Sequence, residues 1–269
     1  MSKKSTKLLD VIVIGAGASG MMAAITAARR GKSVAILERM NKPGKKILAT
    51  GNGKCNFTNN NMDTSRFHGN IQLIQSVLDR FSKEDTLSFF HEIGIWPKEK
   101  NGYYYPNSGQ AVSVVEAFNH ELNRLHVPVY LEQEVLDLFP DKYGFRIKTV
   151  QTSYTCRNVI VASGLLAASK LGSDGSMFSV IKELGHRFVP VLPALCGFYA
   201  KGIPFSKVAG VRCDANLTLK IDGDTAATEH GELQLTDYGI SGIPVFQISG
   251  PAVRALYEKK TVAVAIDFL

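Results

Sequence analysis

The chain has 269 residues, with 31 Lys and Arg against 24 Asp and Glu, a formal net charge of +7. Eleven of those basic residues and only two acids, Asp10 and Glu38, fall within residues 1–54, so that segment carries +9 and the remaining 215 residues carry −2. A surplus confined to one fifth of the chain excludes a generally basic nucleic-acid coat, and 45% hydrophobic with 20% charged residues excludes a disordered chain; the length allows one large domain or two smaller ones.

Val11 to Ala28 is uncharged and follows three lysines, so a signal peptide or membrane span must be weighed. Asp10 abuts the run and Gly15, Gly17 and Gly20 interrupt it, which suits a tight turn better than a continuous apolar helix. Val11-Ile12-Val13-Ile14 predicts a strand buried on both faces. Gly15-Ala16-Gly17-Ala18-Ser19-Gly20 follows, then a helix from Met21 to Arg30 stopped by Gly31, then a strand from Ser33 to Leu37 ending at Glu38. The order of strand, GxGxxG, helix, strand and acid is a βαβ dinucleotide-binding unit. Gly15 serves the sharp turn, Gly17 the approach of a pyrophosphate and Gly20 the close packing of helix on sheet. Free N–H groups of the first helical turn, Ala18 and Ser19 among them, meet the phosphates. A carboxylate at Glu38 suits ribose hydroxyls and disfavours a 2′-phosphate, so FAD or NAD fits better than NADP.

Pro43 to Asn59 is dominated by Gly, Asn and Lys and has neither strand nor helix period after Leu48, which predicts a long loop. Lys45 and Lys46 are placed to neutralise a diphosphate, and backbone amides near Gly51 and Gly53 to form an anion nest or face a flavin ring. Tyr103-Tyr104-Tyr105-Pro106 lies near Trp96, Lys98 and Lys100, where stacking on a nucleobase competes with ordinary cross-strand tyrosine packing. Gln110 to Leu125 reads as an amphipathic helix, and Phe145–Thr149 with Tyr154–Ile160 as a hairpin-like insertion. Arg157 to Val161 is an apolar strand ending in Ala162-Ser163-Gly164, similar to the Ala-Thr-Gly strand end of flavoproteins, which moves the balance from NAD toward FAD.

From about Pro190 the sequence turns β-rich, with short runs at Leu195–Ala200, Ala215–Ile221, Glu232–Thr236 and Thr261–Ile266 between turn residues. The four cysteines, at 55, 156, 196 and 213, form no CxxC pair and the six histidines no ligand spacing. No disulfide framework and no metal site is expected, and a reducing cytoplasm is the default.

The loop Gly44-Lys45-Lys46 … Thr50-Gly51-Asn52-Gly53-Lys54-Cys55-Asn56, combined with the GxGxxG turn, resembles the BaiN/RdsA (YhiN-type) family of flavoproteins, although Lys54 stands where Arg is common. Leu171-Gly172-Ser173-Asp174-Gly175 with Gly185-His186, and Gly231 to Gly242, also look like that family. The chain has Leu165 where the family usually has a second Gly after Ala-Thr-Gly. The resemblance implies an α/β fold: a Rossmann-like three-layer FAD-binding domain over residues 1–189 with an inserted β-rich domain over 190–269. It also implies that the FAD domain is closed by a further C-terminal segment and that the second domain is cut short at Leu269. Arg39 and Val135 join the residues expected to touch the cofactor.

The implied activity is reduction of an activated C=C bond by hydride from reduced FAD, with NADH or NADPH as electron donor. Uridine in 23S rRNA, giving dihydrouridine, is the favoured substrate, and an unsaturated 3-oxo steroid or bile acid or other small enone is the alternative. For Cys55, donation of a proton to the alkene carbon stands against packing as a small hydrophobe, with Lys54 expected to favour the thiolate. For Asn56, a hydrogen bond to flavin or a substrate carbonyl stands against a turn-capping role. Lys3, Lys4, Lys7, Arg29, Arg30 and Lys32 are the cations left for a phosphate-rich substrate. A non-catalytic nucleotide- or RNA-binding homologue is the reading from a different class. No membrane partner is expected, and nothing specifies an oligomeric state.

Overall fold

Val11, Ile12, Val13 and Ile14 are all buried, which requires cover on both faces of the strand they form. In the computed structural model, which describes residues 8–200 and 204–268, that strand is β1 (Leu9–Ile14), and the chain divides into two compact units, one ending at Arg187 and the other starting at Phe188. In the first unit β1 is followed by α1 (Ala18–Arg29), β2 (Val34–Leu37), α2 (Lys45–Ala49), β3 (Thr58–Asn59), α3 (Ile71–Leu78), α4 (Lys83–Glu92), β4 (Pro97–Lys100) and β5 (Tyr103–Pro106). Then come α5 (Ala111–Arg124), β6 (Val129–Tyr130), β7 (Val135–Asp141), β8 (Gly144–Thr149), β9 (Ser153–Val161) and α6 (Met177–Glu183).

The main sheet has the order β6-β2-β1-β9-β8-β7. The strands β6, β2, β1 and β9 run parallel, with Val11 beside Val34 on one side and Asn158 on the other. Strand alternation then sorts the core into two layers. Val11 and Val13 pack with Met21, Ala24 and Ile25 of α1 and Val114, Phe118 and Leu122 of α5. Ile12 and Ile14 pack on the other face with Val135, Leu138 and Ile147 and with Met177 and Val180 of α6. The result is a Rossmann-like three-layer domain. Local chemistry supports its helices: Ser82 and Asp85 close a capping box on α4, and α5 buries Ala111, Val114, Val115, Phe118 and Leu122 at helical spacing.

Two expectations change here. Residues 43–59 are not simply a loop. They hold α2 and a 3₁₀ turn at Thr50–Gly53, because the Gly44 N–H bonds the Ala16 carbonyl at 2.8 Å and Ile47 is drawn into the core, enough to close one helical turn. Nor is 145–160 an insertion. β9 is a single nine-residue strand that pairs antiparallel with β8 through Ser153–Cys156 and parallel with β1 from Cys156 onward, so it belongs to the central sheet.

The second unit contains β10 (Phe198–Tyr199), β11 (Arg212–Ile221), β12 (Asp224–Leu235), β13 (Gly239–Gly242), α7 (Ile243–Tyr257) and β14 (Val262–Asp267). Its antiparallel sheet runs β10-β13-β12-β11-β14. Leu217, Leu219 and Leu233 of the sheet bury Val245, Ile248 and Ala252 of α7. The helix of 15 residues departs from the β-rich reading of this stretch. Pro244, Gly250 and Pro251 obscure it, yet Pro244 sits in the first turn, where its missing N–H costs nothing, and the buried residues recur at helical spacing.

Candidate functional site: a glycine-lined cleft

At the end of β1 the backbone turns at Gly15 with φ +102°, and a Cβ there would lie 2.6 Å from the Ala162 carbonyl oxygen at the end of β9. A Cβ on Gly20 would lie 1.9 Å from the Gly15 carbonyl oxygen, so α1 can approach the turn this closely only with glycine. Gly17, the N-cap of α1, is different: nothing lies within 4 Å of its missing Cβ. No side chain caps α1 and no acid stands in its first turn, leaving the N–H groups and the positive end of the helix dipole directed at open space.

That space is a cleft of about 330 Å³. Gly15, Gly17, Ala18 and Ser19 form its floor, and Ala162, Ser163 and Gly164 one wall. Glu38 stands at one end, and Lys42, Lys45 and Lys46 contribute positive charge. The Glu38 carboxylate accepts from the Ala16 N–H at 2.6 Å and from the Met40 N–H at 2.7 Å, so it is held at the tip of β2 against the glycine turn. Lys46 Nζ donates to the Ala167 carbonyl at 2.7 Å and to Ser173 Oγ at 2.6 Å, tying α2 to the facing wall. Leu171, Gly172 and Ser173 also line the cleft; the family resemblance marks this segment without giving it a role.

Gly51 and Gly53 are not among the residues that line the cleft. Arg39 and Val135 line a smaller recess beside it, together with Gly15 and Glu38. The Arg39 guanidinium is engaged within the protein, with Asp174 at 2.5 Å and the Gly172 carbonyl at 3.1 Å. In return it holds the Asp174 carboxyl at about 2, below the ordinary carboxylate range.

A second cavity of about 350 Å³ adjoins the cleft, and Ala18, Ser19, Ile47 and Thr50 line both. Cys55 and Asn56 open onto it among Phe57, Phe81, Phe89, Phe90 and Phe118. The Phe57 and Phe90 rings lie 4.3 Å apart. Cys55 is buried with φ +59°, and burial pushes its thiol up, the Thr50 hydroxyl offsetting this only in part. The expectation that Lys54 would favour thiolate is thereby corrected: Lys54 is exposed, and desolvation governs the Cys55 thiol.

The expected spare cations also divide. Lys3, Lys4 and Lys7 lie outside the described residues. Arg29 is not available to a substrate: it bonds Glu121 and Glu92, each at 2.8 Å, and covers the Phe89 ring. Arg30 and Lys32 are exposed. Among the described residues no group of three His, Cys, Asp or Glu could hold a metal ion, and no helix is long and apolar enough to cross a membrane.

The chain is 45% identical over 260 residues to a 3-dehydro-bile acid delta(4,6)-reductase of Clostridium scindens, covering 96% of this chain and 64% of that protein. It is 30% identical to the ribosomal RNA dihydrouridine synthase of Haemophilus influenzae, with the same shares covered, and 28% identical to that of Escherichia coli over 89% of this chain and 60% of that one. The chain thus spans less than two thirds of the length of these relatives. A flavocytochrome c3 fumarate reductase in its open conformation shares the fold, with a TM-score of 0.54 and 14% identity over 78% of this chain and 48% of that one. The model of the HI0933-like protein Rossmann domain matches residues 9–255, and the chain belongs to that family.

Proposed function

We propose that this protein is an FAD-dependent reductase of activated C=C bonds. The observation that carries the reading is the open, uncapped N-terminus of α1 at a cleft bounded by Glu38 at one end and by lysines along its side. These residues fit FAD: the space beside Gly17 admits a diphosphate, and Glu38 stands where a carboxylate accepts from ribose hydroxyls. Gly15, Gly17, Ala18, Ser19 and Gly20 would hold the diphosphate with Lys45 and Lys46. Glu38 would hold the ribose, and Ala162, Ser163 and Gly164 the far side. Arg39 and Val135 would border the adenosine half, and Gly51 and Gly53 the flavin half through their backbone. When bound and reduced, FAD supplies the hydride that the alkene carbon accepts.

The chain's own residues supply the rest. The phenylalanine-lined cavity offers an apolar seat for a planar substrate beside the cleft. Asn56 offers an amide N–H to the conjugated carbonyl, and Cys55, kept as the thiol by burial, holds the proton destined for the neighbouring carbon. Uridine of 23S rRNA is the favoured substrate, supported by the two relatives named ribosomal RNA dihydrouridine synthase. A small enone is the second reading, supported by the bile acid reductase relative and by the apolar lining of the cavity. NADH or NADPH is the proposed electron donor, and a cytoplasmic setting accompanies an rRNA substrate.

Purified protein is expected to be yellow and to bleach anaerobically with NADH or NADPH. A colourless protein whose melting temperature does not respond to FAD would overturn the reading and favour a non-catalytic homologue. Loss of dihydrouridine from 23S rRNA in a deletion strain, measured by mass analysis, supports the uridine substrate. An unchanged content transfers the proposal to a small enone, assayed directly with the purified protein.

A further inference from the structure

The hairpin of β4 and β5 presents one face that the cofactor reading does not use. Its register pairs Lys98 with Tyr105 and Lys100 with Tyr103 across the two strands. Strand alternation places these four side chains on one face and sends Glu99 and Tyr104 to the other. There the Glu99 carboxylate accepts from the Gly102 N–H and the Tyr104 hydroxyl donates to Asn60. The lysine and tyrosine face lines a groove of about 520 Å³, with Lys54 joining from the turn that precedes Cys55.

No acid lines this groove, and among the described residues none of Lys54, Lys98 and Lys100 forms an ion pair. Three exposed cations beside one another without a carboxylate partner repel each other, and binding a polyanion relieves that cost. Cations alternating with aromatic rings match a chain of phosphates that carries planar bases. Rings accept base faces only where the bases are unstacked from a duplex. An acidic protein segment would satisfy the lysines but leave the exposed ring of Tyr103 without a matching surface.

We propose that Lys54, Lys98, Lys100, Tyr103 and Tyr105 form a docking groove for single-stranded RNA, beside the turn that carries Cys55 and Asn56. The inference rests on the rRNA reading of the function. The cations hold phosphates, the tyrosines stack on bases, and Lys54 ties the groove to the turn that lines the phenylalanine cavity.

The test is fluorescence anisotropy of a labelled uridine dodecamer with the purified, FAD-loaded protein. K98E/K100E is expected to bind at least tenfold more weakly than wild type. K98Q/K100Q should lower the slope of log affinity against log salt by about 1.4, at about 0.7 per phosphate contact in a single strand. Y103A should weaken binding about fivefold or more. Flavin content and melting temperature are expected to be unchanged in all three, which separates loss of docking from loss of fold. Equal binding by wild type and K98E/K100E, or equal affinity for a duplex of the same length, overturns the groove even where the deletion strain lacks dihydrouridine. A deletion strain with unchanged dihydrouridine overturns the rRNA reading itself. NADPH affinity that falls in K98E/K100E while dodecamer binding does not would assign the face to the electron donor and overturn the proposal.

Discussion

The carboxylate of Glu38 accepts the backbone N–H of Ala16 at 2.6 Å, so the acid that ends β2 also braces the glycine turn that ends β1. One side chain thereby serves both the shape of the cleft and the charge at its end. Its second oxygen takes the Met40 N–H at 2.7 Å. Glu38→Ala leaves both amides without their acceptor and is expected to cost about 1–3 kcal/mol of stability, together with at least a tenfold loss of FAD affinity. Thermal unfolding with and without FAD, and the flavin-to-protein absorbance ratio, measure the two effects separately.

Gly17 and Gly20 should respond oppositely to the same added methyl group. At Gly20 the new Cβ would lie 1.9 Å from the Gly15 carbonyl oxygen, so α1 must move off the sheet, at about 3 kcal/mol or more. Gly20→Ala is expected to be poorly soluble. At Gly17 no atom lies within 4 Å, so Gly17→Ala should fold with stability within about 1 kcal/mol of wild type. It should nonetheless lose flavin, because the methyl occupies the approach to the diphosphate. A Gly17→Ala protein that retains its full complement of FAD would count against the cleft as the diphosphate site.

The four cysteines are expected to separate by reactivity. Burial pushes Cys156 up to about 11 and raises Cys55 as well, so little thiolate is present at neutral pH. Cys196 and Cys213 are only half-buried. A thiol reagent applied to the native protein at pH 8 should label these two quickly and Cys55 and Cys156 slowly, with all four labelled in denaturant. Rapid modification of Cys55 at pH 7 would contradict a buried thiol and with it the proposed proton donor.

The ion pair of Arg39 with Asp174 predicts an acid-sensitive step in stability. Because the folded carboxyl sits at about 2, below its ordinary value of 3.8, the pair contributes fully above about pH 4 and is lost as the pH falls toward 2. Asp174→Asn should therefore melt below wild type at neutral pH, and the two curves should approach each other from about pH 4 downward and converge only below pH 2. The partial exposure of the pair keeps the effect small, so the convergence matters more than its size.

Much of the first unit was legible because its signals are local. A β-branched run, a glycine turn and a helix of good formers specify their own backbone, and the acid at the end of β2 lies at a fixed reach from the turn. The Ala215–Ile221 stretch likewise announces its strand through residue type and punctuation, whereas of Leu195–Ala200 only Phe198–Tyr199 pairs, because Leu195 takes a left-handed backbone; the regular burial on α5 follows from its spacing. What only the tertiary structure decided lies where distant segments meet. Arg29 reads as a spare cation until Glu92 and Glu121 arrive beside it from α4 and α5. Cys55 reads either as a thiol that Lys54 shifts toward thiolate or as a packed small hydrophobe, until the phenylalanine cluster removes it from water and decides for burial. Tyr154–Ile160 reads as an arm of a hairpin-like insertion, although Arg157–Val161 already reads as a strand of the nucleotide domain, until β1 pairs along it and makes β9 one strand of the central sheet; α7 stays hidden behind its prolines until a sheet covers its apolar face. Charge, burial and pairing are properties of the environment, and residues far apart in the chain supply it.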